Sequence, residues 1–311
     1  MRFEKKDILD IQSLSREEIA YILDTAQGMK EISQRPVKKV PTLRGKTIIL
    51  FFQEPSTRTK LSFELAAKRL SADTVSISKS SSSIVKGETL IDTAKNLEAM
   101  KPDIIVMRHS SSGAAFQVSK QVNCSVINGG DGTHAHPSQA LLDMMSIRER
   151  KGTLEGLNVS IIGDISHSRV ARSDITGLSR MGAHVKICAP ETMIPMGIEQ
   201  MGCTVAPNME ACVENADVIM MLRIQKERQG NLLFPSEREY ATLYGLNKAR
   251  LKLAKNDVLV MHPGPMNRGV EISSEIADSD CSMILDQVTN GVALRMALFY
   301  LVGGSRHADS N

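Results

Sequence analysis

Tryptophan is absent from this chain of 311 residues, and aromatic residues of all kinds make up only 4%. That scarcity argues against surfaces that stack nucleobases. The net charge is +3, too small for a nucleic-acid or anionic-membrane footprint, so neither partner is expected. No apolar run approaches the length that crosses a bilayer. The opening residues, Met1 to Asp7, lack the apolar core of a secretory signal, and a cytoplasmic location is expected. The five cysteines are scattered at Cys124, Cys188, Cys203, Cys212 and Cys281, with no C-x-x-C pair. Neither a zinc knuckle nor a disulfide framework follows, and reduced, buried thiols are expected. Histidine–glutamate zinc motifs, nucleophile elbows and P-loops are missing too, so no metal and no cofactor is expected. Ile161-Ile162-Gly163-Asp164 hints at a dinucleotide turn, but the further glycines of that fingerprint are not there.

What is present is a repeated alternation. Apolar, β-favouring runs at Thr47–Phe52, Asp103–His109, Ser125–Asn128, Asn158–Asp164, His184–Cys188, Val218–Leu222 and Asp257–His262 alternate with helical patterns. Among the helices, Ser15 followed by Glu18 predicts a capping box, and helices are expected over Thr89–Met100 and Ile194–Met201. Strand–helix alternation means parallel sheets covered on both faces. The pattern restarts near residues 140–155. It therefore predicts an α/β chain of two doubly wound parallel-sheet domains, 1–148 and 149–290, with the active site in the cleft between them. Residues 291–311 form a C-terminal helix expected to pack back on the first domain.

Ligands of open parallel sheets sit beyond the carboxyl ends of the strands. Beyond the first run lies Glu54-Pro55-Ser56-Thr57-Arg58-Thr59, where Pro55 stops the strand and Ser56 or Thr57 can cap the next helix. Unpaired first-turn amides, three hydroxyls and a guanidinium there suit a phosphate. Beyond the other runs lie Arg108 and His109; His136 and Gln139; Asp164, His167 and Arg169; Arg223, Gln225 and Arg228; and His262-Pro263-Gly264-Pro265. Each alone reads as a solvated loop charge. Together they make a cation-rich site for a ligand, or ligand pair, with several negative charges. Catalysis by positioning and charge stabilisation follows, rather than covalent or metal chemistry.

At this point the motifs resemble a family. Phe52-Gln53-Glu54-Pro55-Ser56-Thr57-Arg58-Thr59, Lys86-Gly87-Glu88-Thr89, Val106-Met107-Arg108-His109, His136-Pro137-Ser138-Gln139, Arg223-Ile224-Gln225 and His262-Pro263-Gly264-Pro265 are similar to those of aspartate carbamoyltransferase catalytic chains. The first and fourth are shared with ornithine carbamoyltransferases, whereas the last two separate the two kinds. The resemblance implies that carbamoyl phosphate and L-aspartate are the substrates. It implies phosphate binding by Ser56, Thr57, Arg58 and Thr59, and polarisation of the carbamoyl oxygen by Thr59, Arg108 and His136. Gln139 would hold the carbamoyl amide, and Arg169, Arg223 and Gln225 the aspartate carboxylates. The carbonyls of Gly264 and Pro265 would meet the carbamoyl or amine nitrogen. Ser82 and Lys86 would come from a neighbouring subunit of a homotrimer with shared active sites. Glu54 would pair with Arg169 or Arg228. A regulatory chain or a dihydroorotase is the further partner such a trimer could join. Gly264 stands where some relatives carry a bulkier residue. A carbamoyltransferase for another amino acid, or a non-catalytic anion-binding subunit, are the alternatives.

Overall fold

The computed structural model describes residues 3–78, 87–225 and 236–304. The chain falls into two compact units, one of residues 1–145 with 289–311 and the other of residues 146–288. In chain order the first unit contains α1 (Arg16–Gln34), β1 (Thr47–Phe52), α2 (Thr57–Arg69), β2 (Asp73–Ser78), α3 (Leu90–Ala99), β3 (Ile104–His109), α4 (Ala114–Ser119) and β4 (Ser125–Asp131). Next comes α5 (Pro137–Lys151), inside which the unit boundary falls. The second unit contains β5 (Asn158–Ile162), α6 (Arg169–Arg180), β6 (His184–Cys188), β7 (Cys203–Val205), α7 (Met209–Val213), β8 (Val218–Met221), α8 (Glu237–Tyr244), α9 (Lys248–Leu251), β9 (Leu259–Met261) and α10 (Ser274–Ala277). The last helix, α11 (Ile284–Gly304), begins in the second unit and ends in the first.

Both sheets are parallel. The first has strand order β2-β1-β3-β4 and the second β7-β6-β5-β8-β9. β1 is buried from Ile48 to Phe52 because both faces are covered, which is why that stretch reads as an unbroken apolar run. Ile49 and Phe51 join Ile105, Met107 and Val126 in a core under α3 and α4. Successive side chains of a strand alternate faces. Behind the other face Phe63 of α2 meets Phe299 of α11 in a tilted ring contact, centroids 5.6 Å apart. In the second unit Ile162, Ile219, Met221 and Val260 pack with Met209, Cys212 and Val213 of α7.

Local signals explain the helix starts. Ser15 and Glu18 form the expected reciprocal capping box. Thr89 caps α3 by accepting from the Asp92 amide. Two expectations need correcting. Ile194–Met201 is not a helix but a 3₁₀ turn at Ile198–Met201, because Pro195 cannot donate within a helix and Gly197 takes φ +72°. The strand expected to stop at Asn128 continues to Asp131, since His109 of β3 pairs with Asp131 beyond a register shift.

Candidate active site

The parallel register sets the first group of polar residues at one end of the four-stranded sheet. Phe52, the last residue of β1, lies beside Ser78 of β2 and Arg108 of β3. The chain then leaves the sheet through Gln53 to Ser56 and enters α2 at Thr57. Ser56 holds the N-cap position with extended backbone, yet its hydroxyl makes no capping hydrogen bond, contrary to the expected cap. A hydroxyl not committed to the helix and the positive end of the helix dipole keep the anion-binding chemistry of this turn. Thr57 and Arg58 are exposed, and Ser56 and Thr59 half-buried.

Arg108 is held from two sides. Its Nη1 donates to the Gly129 carbonyl at 3.0 Å, and its Nε lies 3.5 Å from Glu54 Oε2. Glu54 thus meets a cation of its own sheet, because the β1–β3 register places Arg108 next to the turn; of the expected partners, Arg228 lies outside the described residues. His136 and Gln139 come from the loop after β4 and the first turn of α5, and both are buried. His136 Nδ1 lies 3.5 Å from Ser138 Oγ, and the His136 carbonyl accepts from the Gln139 amide at 3.0 Å.

The loop that delivers His136 is organised by Asp131, which is 1% exposed. Its carboxylate accepts from the amides of Gly113 at 2.6 Å and Ala135 at 3.1 Å, and from Asn128 Nδ2 at 2.7 Å. His134 Nδ1 sits 3.0 Å away. Burial opposes the charge, but hydrogen bonds from His134, Asn128 and Gly113 outweigh it and hold the carboxyl below its ordinary range. Gly132 beside it needs its missing side chain: φ is +47°, and a Cβ would come within 2.3 Å of Ser112 Oγ.

The second group lies beyond β5, β8 and β9. Asp164, fully buried, accepts from the His167 amide at 3.2 Å and the Gln225 amide at 3.3 Å. His167 Nδ1 is 2.8 Å from the same carboxylate, so that nitrogen carries a proton. Gln225 Nε2 in turn donates to the His167 carbonyl at 3.0 Å. This closes a ring of contacts between the segments after β5 and β8. Arg169, buried, opens α6 behind the Ser168 cap, and Arg223 stands half-buried two residues past β8. Gly163 is what lets those segments meet. At φ +133° a Cβ there would sit 2.6 Å from the Leu222 carbonyl. The glycine that hinted at a dinucleotide turn therefore serves strand packing.

Beyond β9, the Gly264 amide donates to His262 Nδ1 at 2.8 Å. His262 Nε2 then carries the proton and faces buried Glu271 at 3.2 Å. This fixes the turn containing Gly264, at φ +65°, and Pro265, joined by a cis peptide bond. Ser82, Lys86 and Arg228 lie outside the described residues. Among the described residues no group of three or more histidine, cysteine or acidic side chains could hold a metal ion. No helix among them is long and apolar enough to cross a membrane.

Sequence reasoning gave Asp131 no role. It missed Asp143 and Arg295 altogether. All three are buried charges, and for Asp143 the spacing of four from Gln139 on one helix was the signal that could have found it.

Two parallel-sheet units, each with cations beyond its strand ends, define an α/β class whose ligands carry negative charge. Residues 6–149 match the carbamoyl-P binding domain of the aspartate/ornithine carbamoyltransferases, and residues 155–302 match their Asp/Orn binding domain. The chain belongs to the aspartate/ornithine carbamoyltransferase family. It is 75% identical over 311 residues, the whole of both chains, to the aspartate carbamoyltransferase catalytic subunit of Desulforapulum autotrophicum. Its fold is similar to that of ornithine carbamoyltransferase from Pyrococcus furiosus, with TM-score 0.86, 31% identity, and 98% and 99% of the two chains covered. It is equally similar to aspartate transcarbamoylase from Trypanosoma cruzi in complex with carbamoyl phosphate and aspartate, with TM-score 0.87, 27% identity and 96% of each chain covered.

Proposed function

We propose that this chain transfers the carbamoyl group of carbamoyl phosphate to the amine of L-aspartate, giving N-carbamoyl-L-aspartate and phosphate in pyrimidine synthesis. The observation that carries the choice of aspartate is the 75% full-length identity to an aspartate enzyme, since fold likeness extends to an ornithine enzyme as well. The residues after β8 and β9 support it. Arg223 and Gln225 offer a cation and an amide to a dicarboxylate, and His262-Pro263-Gly264-Pro265 contains no cysteine.

In this reading residues 1–148 bind carbamoyl phosphate and 149–290 bind aspartate. Ser56, Thr57, Arg58 and Thr59 hold the phosphate through first-turn amides, hydroxyls and guanidinium. The aspartate amine, its carboxylates held by Arg169, Arg223 and Gln225, attacks the carbamoyl carbon. As the carbonyl oxygen becomes an oxyanion, Thr59, Arg108 and His136 stabilise it. Fixed donors of this kind are each worth about 10²–10³ in rate. Arg108 suits the task because Gly129 and Glu54 hold its guanidinium in place before substrate arrives. Gln139 and the carbonyls of Gly264 and Pro265 take the nitrogen side. The bond to phosphate then breaks, the proton lost by the amine ends on the leaving phosphate, and Arg58 and Lys86 hold the leaving charge.

Ser82 and Lys86 belong, in this reading, to a neighbouring subunit of a cytoplasmic homotrimer, to which a regulatory chain or a dihydroorotase can add. Two experiments test the proposal. Steady-state assays with aspartate and ornithine in parallel should show turnover with aspartate only; turnover of ornithine alone would sink it. Mixing Lys86→Ala chains with Arg58→Ala chains should restore part of the activity in assembled trimers. No recovery would count against shared sites.

A further inference from the structure

The two ends of a glutamine carboxamide differ in kind: the oxygen accepts, the nitrogen donates, and a half-turn exchanges them. Gln139 has its choice made for it. Its Nε2 lies 3.1 Å from Oδ1 and 3.2 Å from Oδ2 of Asp143, one turn further along α5. A carboxylate only accepts, so the nitrogen must face Asp143, and the Gln139 oxygen occupies the opposite end of the amide.

Asp143 is fully buried, where an unbalanced carboxylate would be costly. The balancing charge is Arg295 on α11, itself 3% exposed. Arg295 Nη1 donates to Ser62 Oγ at 2.9 Å, and its guanidinium carbon lies 4.9 Å from the Phe63 ring centroid. Burial pushes Arg295 down to about 10 and the Asp143 charge works the other way, so the guanidinium stays protonated at neutral pH. Gly291, one turn earlier on α11, leaves it room: a Cβ there would come within 2.5 Å of Arg295 Nη1.

We propose that Asp143, balanced by Arg295, is a positioning residue that locks the Gln139 oxygen toward the carbamoyl amino group, so that the site selects a carbamoyl donor over an acyl phosphate lacking N–H. A carbamoyl –NH₂ offers only donors. A reversed Gln139 would set donor against donor, whereas the locked one accepts. The inference rests on the reading that Gln139 holds the carbamoyl amide.

Acetyl phosphate is the probe, because it keeps the phosphate and the carbonyl and carries a methyl in place of the amino group. For the full-length enzyme, KM for carbamoyl phosphate is compared with the competitive inhibition constant of acetyl phosphate. Asp143→Asn lets the Gln139 amide take either orientation. It should lower the preference for carbamoyl phosphate by about tenfold. Gln139→Ala should do the same, and the double variant should lose no more preference than Gln139→Ala alone. If Asp143→Asn weakens both ligands alike, or if the two losses of preference add in the double variant, Asp143 acts structurally and the inference is overturned. If Gln139→Ala leaves the preference unchanged, the assignment of Gln139 itself is what fails. Asp143→Glu retains the charge opposite Arg295 and shifts the carboxylate by one methylene. It is expected to lower the preference too, and it decides the matter where the neutral variant does not fold; an unchanged preference there overturns the inference.

Discussion

Replacing Asp131 by alanine should destabilise the first unit more than removal of any surface carboxylate. The substitution strips an acceptor from Asn128 Nδ2 and the Ala135 amide, both in buried residues, and from the half-buried Gly113 amide and His134. A buried donor left unsatisfied costs about 1–3 kcal/mol. The Ala135 amide counts in full and Asn128 Nδ2, which keeps its bond to the Leu9 carbonyl at 2.8 Å, only in part, so with the Gly113 amide the expectation is about 4 kcal/mol. For a unit of this size that lowers the midpoint of thermal unfolding by roughly 10 °C. The loss should depend on pH in a defined direction. The folded carboxyl is held below its ordinary value of 3.8, so its stabilisation is present above that value and fades as pH falls through the lower, folded one. Scanning calorimetry of wild type and Asp131→Ala at pH 7 and in steps below pH 4 measures both effects. The gap between the two proteins should be widest at pH 7 and close in acid. A difference below about 1 kcal/mol at pH 7, or a gap that widens in acid, would refute the assignment of Asp131 as an ionised hub.

Gly163→Ala places a Cβ 2.6 Å from the Leu222 carbonyl at a φ of +133°, and should cost about 2–4 kcal/mol of stability. Because the strain falls where Asp164 meets Gln225, KM for aspartate should rise while binding of carbamoyl phosphate, measured by calorimetry, stays near wild type; an unchanged aspartate KM would show that Gly163 does not support this group. Iodoacetamide at pH 8 should label half-buried Cys281 first, with Cys124, Cys188, Cys203 and Cys212 reacting only on unfolding. Burial pushes the Cys203 thiol up to about 11, so its early labelling, read by peptide mass spectrometry, would contradict the packing of β7.

Much of this molecule is legible in one dimension. The run Thr47–Phe52 could only be a two-side-buried strand, and Pro55 had to end it, because proline lacks the amide that a ladder needs. The Ser15–Glu18 box is local chemistry and forms as the spacing dictates. Strand–helix alternation specifies parallel sheets, and parallel sheets offer ligands their carboxyl ends. From those rules alone Ser56 to Thr59, Arg108, His136, Gln139, Arg169, Arg223 and Gln225 are assigned to strand ends, and the structure places each of them at one.

What needed the tertiary structure is the partner of each charge. Glu54 meets Arg108 because strand order makes β1 and β3 neighbours, and nothing in the sequence states strand order. Asp131 gathers donors from the turn before α4, from β4 and from its own loop, and Asp143 is balanced from α11 at the far end of the chain. Patterns of period two and 3.6 encode which face of an element is buried, since burial depends on the average surroundings of a residue. They do not encode which buried polar atom meets which, because a hydrogen bond reaches only about 3 Å and depends on how distant elements pack. So the sequence determined the sheets and which polar residues follow their carboxyl ends. Packing alone decided what balances Asp143, the charge state of the Asp131 loop and the hold on Arg108.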